Sequence, residues 1–390
     1  MQYALWRDNP VLMTILGLVL LNFMNYDIYW CYLLIPIFLL FANDRVELAG
    51  KNFMAFSLFS ILYFTFLYVN NTDVSVSLLL GYLFFPPLFY FIGKLLIKRH
   101  PDNISVFNLL IFICLFFSFF PFLANLKSIA ENGFMTVREI KTFWNYEGDP
   151  LNVTNIGVYF AFNLTLLPVC FMRKDLFPKI MNLLIIALFF TGLISIINMS
   201  NRTGLLIVVI SLFSSVFVSN NKRKFLLIIS AIFGLLGIVM YFNLFNIRTW
   251  IEYSLYFERI SSTSVYEEGS RFILWKNAIG GLLSYPLGNA DYEIGSRYAH
   301  NMWLDVGRRA GIFPVIPLIF ITLITVVNLI KVLSVKSIQE NVRYLLVGFG
   351  IAFYTTFFLE PILEGSYIFF FLFCLYTGFI NGILDYFPSE

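Results

Sequence analysis

Residues 77–125 read SLLLGYLFFPPLFYFIGKLLIKRHPDNISVFNLLIFICLFFSFFPFLAN: two apolar runs parted by the step Lys98-Arg99-His100-Pro101-Asp102. About 20 apolar residues cross a bilayer's hydrocarbon as a helix, so each run is long enough to span. The rest of the chain repeats the pattern. Apolar runs fall near 11–25, 28–42, 53–69, 77–97, 104–125, 153–172, 180–199, 204–219, 225–246, 313–332, 344–360 and 367–384. The expected fold is an all-α polytopic membrane protein of about twelve transmembrane helices, a single integral domain over residues 1–390. The first two runs meet at Asn25-Tyr26-Asp27, as one long helix or a tight pair.

Composition excludes the alternatives. The 390 residues are 59% hydrophobic and 13% charged, against roughly 45–50% and about 25% in soluble domains. Forty-seven phenylalanines exceed what a water-facing fold could hide. Cys31, Cys114, Cys170 and Cys374 all lie in apolar runs, and His100 and His300 are the only histidines. No disulfide framework or metal-ligand spacing follows from these, and nothing points to a nucleic acid. The first run, from Val11, lacks a basic start and a small-residue cleavage site and reads as a retained helix. No repeat or heptad pattern is visible.

The basic residues orient the spans. Arg45 and Lys51 follow the second; Lys94, Lys98 and Arg99 close the fourth. Arg173, Lys174 and Lys179 follow the sixth, Lys222-Arg223-Lys224 the eighth, and Lys331, Lys336 and Arg343 the tenth. The short odd-numbered exits carry one basic residue, Arg202. The positive-inside rule then expects both termini in the cytoplasm and the odd exits outside. Two outside loops are long, 126–152 and 247–312. Both are rich in cations: Lys127, Arg138 and Lys141 in the first, and Arg248, Arg259, Arg271, Lys276, Arg297, Arg308 and Arg309 in the second. Arginines gathered beside helix ends suit an anion such as a lipid-linked diphosphate, or else anionic head groups.

Three segments could carry chemistry. Ser200-Asn201-Arg202-Thr203-Gly204 opens the eighth span. Ser200 or Asn201 can cap that helix, leaving Arg202 beside an anion-attracting N-terminus or merely snorkelling. In 269–288, Phe272, Trp275, Ile279 and Leu282 form a helical stripe, expected to lie in the interface with Trp275 as anchor and Arg271 at head-group depth. In 300–311, continued as a helix, Gly307 and Gly311 fall within roughly 20° of His300. That would leave an open groove beneath a candidate base, with Arg308 on its flank.

Taken together, Arg202-x-x-x-Leu206, Ser270-Arg271…Trp275…Pro286-Leu287-Gly288 and His300-Asn301-x-x-Leu304 with Gly311 beyond resemble the O-antigen ligase and O-antigen polymerase superfamily of bacterial inner-membrane glycosyltransferases. The likeness covers about residues 200–315. It implies a C-type glycosyltransferase-like fold, with the active site facing the periplasm beneath the large loop between helices 9 and 10. It further implies an undecaprenyl-diphosphate-linked oligosaccharide as donor, with no nucleotide sugar, metal or other cofactor. By position, His300 would be catalytic, and Arg202 and Arg271, supported by Arg248, Arg297 and Arg308, would bind the donor diphosphate. Pro314 departs from the small or aromatic residue that protein O-linked ligases often carry three after the glycine, which weighs against a protein acceptor.

A polymerase would pass the growing chain to another lipid-linked unit, with a chain-length regulator as possible partner. A ligase would pass it to the lipid A core. The acceptor would meet the variable 126–152 loop at Arg138, Lys141, Trp144 and Tyr146, whose aromatic faces suit sugar rings or anchor in the interface. The extreme Phe, Ile and Asn content, with sparse likeness outside these segments, resembles the highly divergent polymerases more than the ligases. A lipid-linked oligosaccharide flippase stays a lesser alternative, since the spans hold almost no charge away from their ends.

Overall fold

The structure, a computed structural model, describes residues 9–40, 50–70, 74–135, 137–144, 150–172, 179–219, 221–241 and 271–387. Arg248 and Tyr146 lie outside the described residues. Among those described, the chain is almost wholly helical, with one two-residue antiparallel pair, Glu139↔Asn152 and Ile140↔Leu151. Seven helices are long and apolar enough to cross a membrane: Lys51–Asn70 (α1), Val76–Arg99 (α2), Asn103–Asn132 (α3), Ile180–Asn198 (α4), Ile312–Ser334 (α5), Glu340–Leu359 (α6) and Tyr367–Tyr386 (α7). They become eight if the bent pair Val153–Phe160 and Asn163–Phe171 counts as one span.

Two expected spans break, each for a local reason. Pro10–Leu20 stops short of Asn25, because Asn22, Met24 and Asn25 all take positive φ. Such backbone is uncommon outside glycine, and asparagine tolerates it best. A pair of short helices, Asp27–Tyr32 and Leu34–Leu40, follows in place of one long helix. The run at 153–172 bends by 52° after Phe160. There Thr165 Oγ1 donates to the Phe162 carbonyl and Asn163 Nδ2 donates to Ser118 Oγ. Pro168 further on lacks an N–H to continue the ladder.

The described residues form two compact units. One comprises residues 1–110, 271–338 and 356–390. At its centre α2 and α7 cross at Gly93 and Gly378. A Cβ on either glycine would overlap the other helix's backbone at Leu375 or Tyr90. Close approach through small residues is how helices pack where lipid removes any hydrophobic drive between them. Polar side chains add to the seam: Asn328 Nδ2 donates to Asn381 Oδ1 (2.7 Å), and Asn381 Nδ2 to the Tyr90 hydroxyl (3.2 Å). His100 belongs to this framework too, with its Nε2 2.9 Å from Asn9 Nδ2.

The other unit comprises residues 111–270 and 339–355. In it Asn198 accepts from the Met135 N–H and donates to Asn125, which in turn donates to Ser195. Helix α3 runs on to Asn132, so the loop expected from residue 126 starts about two turns later.

Candidate functional site

In the first unit, the helix Met302–Ala310 (α8) is set by its own side chains. Asn301 caps it, its Oδ1 accepting from the Leu304 N–H. Asp305 points back at the preceding loop and accepts from the Ala299 N–H (2.7 Å) and the Asn301 N–H (3.2 Å). Between those two donors stands His300 at φ 54°. Backbone strain of about 1–3 kcal/mol at a non-glycine residue persists only when its surroundings over-determine it. The two bonds to Asp305 supply that constraint. Burial raises the Asp305 carboxyl above its ordinary range, an effect offset in part by the same two N–H donors.

His300 is therefore a residue of the loop before α8, not of the helix itself. The glycine groove expected beneath it is closed. At Gly311 (φ 78°) an added Cβ would overlap the backbone of Pro286 and Leu287, and at Gly307 it would press on Leu282 and Val315. The Ile312 N–H bonds to the Pro286 carbonyl at 2.9 Å. Gly311 admits the chain's own Pro286-Leu287 backbone and Gly307 the Leu282 side chain, so the second and third sequence segments are one packed unit.

The helix Arg271–Ser284 (α9) is fastened to the same loop. Trp275 Nε1 donates to the Ala299 carbonyl (3.0 Å), and Asn277 Nδ2 donates to that of Ile294 (3.1 Å). Its buried face is Leu274, Ala278 and Gly281, while Phe272, Ile279 and Leu283 point outward. The expected stripe thus splits, and Trp275 packs on Ala278, Ile294 and Ala299. The indole N–H of this half-buried tryptophan finds its acceptor in the protein backbone.

These supports bring Arg271 and His300 to one carboxylate. Glu360 follows the last turn of α6, its N–H bonded to the Thr356 carbonyl. Its side chain is 4% exposed. Oε1 lies 3.5 Å from Arg271 Nη2, and Oε2 lies 3.7 Å from His300 Nδ1. The second contact is too long for a hydrogen bond. A neighbouring pair repeats the theme: Arg309 Nε stands 2.6 Å from Glu364 Oε1. Burial pushes the Glu364 carboxyl up to about 7. Arg309 pulls the other way, and the Asp305 carboxylate adds to the rise. Desolvation outweighs the ion pair because Glu364 is 6% exposed.

Two of the remaining candidates lie in the first unit. Arg308 is buried, and its Nη1 and Nη2 donate to the carbonyls of Ala290 and Arg297 at 2.6 Å each. Those bonds hold the loop ahead of α8. Arg297 is exposed, with its guanidinium 5.2 Å from the centre of the Tyr298 ring. In the second unit Arg202 is the exposed first residue of a helix, Arg202–Val218, that Asn201 caps by accepting from the Gly204 N–H. Arg138 and Lys141 are exposed there, and Trp144 packs edge-on against Phe120 and Phe143.

Glu360 and Glu364 escaped the reading of the sequence. Both fall in Leu359-Glu360-Pro361-Ile362-Leu363-Glu364-Gly365, a short turn between two apolar spans that carries two acids and no base. Carboxylates in such a turn need partners from elsewhere in the chain, and that was the available signal. A cation held on a buried carboxylate beside an imidazole can grip an anionic group and accept a proton in one place. No family model matches this chain, and no curated protein matches it.

Proposed function

We propose that this protein is an O-antigen polymerase of the bacterial inner membrane. It would join undecaprenyl-diphosphate-linked oligosaccharide repeat units on the periplasmic side by inverting, metal-independent glycosyl transfer. The observation that carries the reading is Glu360, a buried carboxylate 3.5 Å from Arg271 and 3.7 Å from His300. It couples a diphosphate-binding cation to a candidate base. This reading takes about twelve spans, counting Pro10–Leu20, the pair Asp27–Tyr32 and Leu34–Leu40, Arg202–Val218 and Lys222–Tyr241 beside the longer helices. Both termini are then cytoplasmic, and the fold is C-type glycosyltransferase-like.

In this mechanism an acceptor hydroxyl attacks the anomeric carbon of the donor from the face opposite the diphosphate. The bond from that carbon to the diphosphate oxygen breaks, and undecaprenyl diphosphate leaves with the electron pair. The hydroxyl proton passes to His300 Nε2, while Glu360 faces Nδ1 and stabilises the imidazolium formed. Arg271 holds the developing charge on the leaving diphosphate, the role a divalent cation plays in other transferases.

The test is the lipopolysaccharide profile of the source strain with this gene deleted and then restored. Core bearing a single repeat unit, with the ladder lost, is the expected result. Naked core with glycan accumulating on undecaprenyl diphosphate would mean a ligase. An unchanged ladder would remove both readings.

A further inference from the structure

A cavity of about 310 Å³ in the first unit is lined by Tyr63, Tyr82, Tyr298, Arg297, Arg309 and Glu364, among others. Tyr63 is seven residues before the end of α1, and Tyr82 is six after the start of α2. The floor therefore lies about 10 Å below those helix ends, at 1.5 Å per residue. A second cavity, of about 510 Å³, shares Val74, Arg297 and Arg309 with the first. Both volumes fall within the range of roughly 300–1,000 Å³ that small-ligand sites occupy.

The lining suits one chemistry better than others. Beside Leu67, Val74 and Leu78, three phenol rings, two guanidiniums and a carboxylate make up most of the wall, more polar than a lipid tail needs. A sugar ring presents an apolar C–H face, which an aromatic ring covers, and an edge of hydroxyls, which carboxylates and guanidiniums bind. The polar pair is already fixed. Glu364 is tied to Arg309 at 2.6 Å, and the hydroxyl of Tyr82 donates to the Leu363 carbonyl beside it. Groups held in place before binding lose little entropy when a ligand arrives. The wall also reaches the candidate base, since the Tyr298 ring stands edge-on to the His300 imidazole with centroids 6.3 Å apart.

We infer that this cavity is the acceptor's sugar subsite, where the terminal pyranose lies against Tyr298 and its hydroxyls bond Glu364 and Arg309, turning the accepting hydroxyl toward His300. The inference rests on the glycosyl-transfer reading. It moves Arg297 from the donor diphosphate to the acceptor.

The test uses the full-length protein in detergent and a repeat-unit oligosaccharide capped at its reducing end by a fluorescent aryl ether. This probe can accept but cannot donate. Tyr298→Leu is expected to raise the KM for the probe about tenfold, the equivalent of 1.4 kcal/mol. The KM for the lipid-linked donor should stay within about twofold, and Tyr298→Phe should restore probe affinity. Glu364→Gln is expected to raise the probe KM as well. Unchanged probe KM in both Tyr298→Leu and Glu364→Gln, or an equal rise for the donor, would overturn the subsite. Saturation-transfer NMR of the probe separates this from the wider reading. If the wild type transfers nothing yet binds the probe, and Tyr298→Leu abolishes binding, the subsite stands while the polymerase fails. If the wild type binds no probe, the subsite is overturned.

Discussion

Glu360 Oε2 faces His300 Nδ1 at 3.7 Å, although the two residues come from a turn between apolar helices and from a strained loop ahead of α8. Their meeting depends on that loop being held by Asp305 and on α9 being fastened beneath it.

If Glu360 orients His300 and stabilises the imidazolium as it forms, Glu360→Gln should keep the side chain's shape while removing its charge. Turnover is expected to fall about 100-fold, in line with the 10²–10⁴-fold contribution of a positioned general base. Protein yield in the membrane should stay close to wild type. Single-turnover transfer of the lipid-linked unit measures this, and unchanged turnover would exclude Glu360 from the mechanism.

Arg271→Lys keeps the charge and loses the planar fork that grips two oxygens at once. Donor affinity should weaken at least tenfold. Binding of the lipid-linked unit to detergent-solubilised protein measures this. Wild-type affinity in the variant would remove the Arg271 guanidinium from the diphosphate site.

Gly311→Ala tests the packing of the two signature segments on each other. Its φ of 78° and the overlap with Pro286 and Leu287 together demand movement of backbone. Strain alone should cost about 1–3 kcal/mol, seen as a lower thermal midpoint in detergent and lost activity. A midpoint equal to wild type would mean that Pro286-Leu287-Gly288 does not rest on this glycine.

Glu364 predicts a pH dependence with a definite sign. Its folded carboxyl is pushed up to about 7 from an ordinary 4.5. Between those values the folded state holds more protons than the unfolded one, so stability falls as pH rises through the window and levels off above it. The full effect is about 3 kcal/mol at 1.36 kcal/mol per unit. Thermal midpoints should be higher at pH 5 than at pH 8, and Glu364→Gln should narrow the gap. An identical gap in the variant would contradict this assignment.

The long helices were legible because a run of apolar residues closed by a polar break admits few alternatives in chemistry. The sequence reading at 77–97 and the helix Val76–Arg99 differ by a residue or two at each end. The breaks at Asn22–Asn25 and after Phe160 were less legible. They depend on single side chains bonding their own or a distant backbone, and apolar content does not register that. In the site, Arg271 and His300 stood out as polar residues in a suggestive order. Their partner Glu360 did not, because it lies far off in sequence and only folding brings it to them. The role of Gly307 and Gly311 was legible as a need for space, but the occupant of that space was not.

The most direct measurement reconstitutes the purified protein in liposomes with the undecaprenyl-diphosphate-linked repeat unit as sole substrate, with chelator present and no sugar nucleotide. Mass spectrometry of the lipid fraction reads the products. The account predicts a ladder of lipid-linked oligomers together with released undecaprenyl diphosphate, and neither with His300→Ala. A repeat unit that never grows beyond one, in the presence of correctly folded wild-type protein, would contradict it.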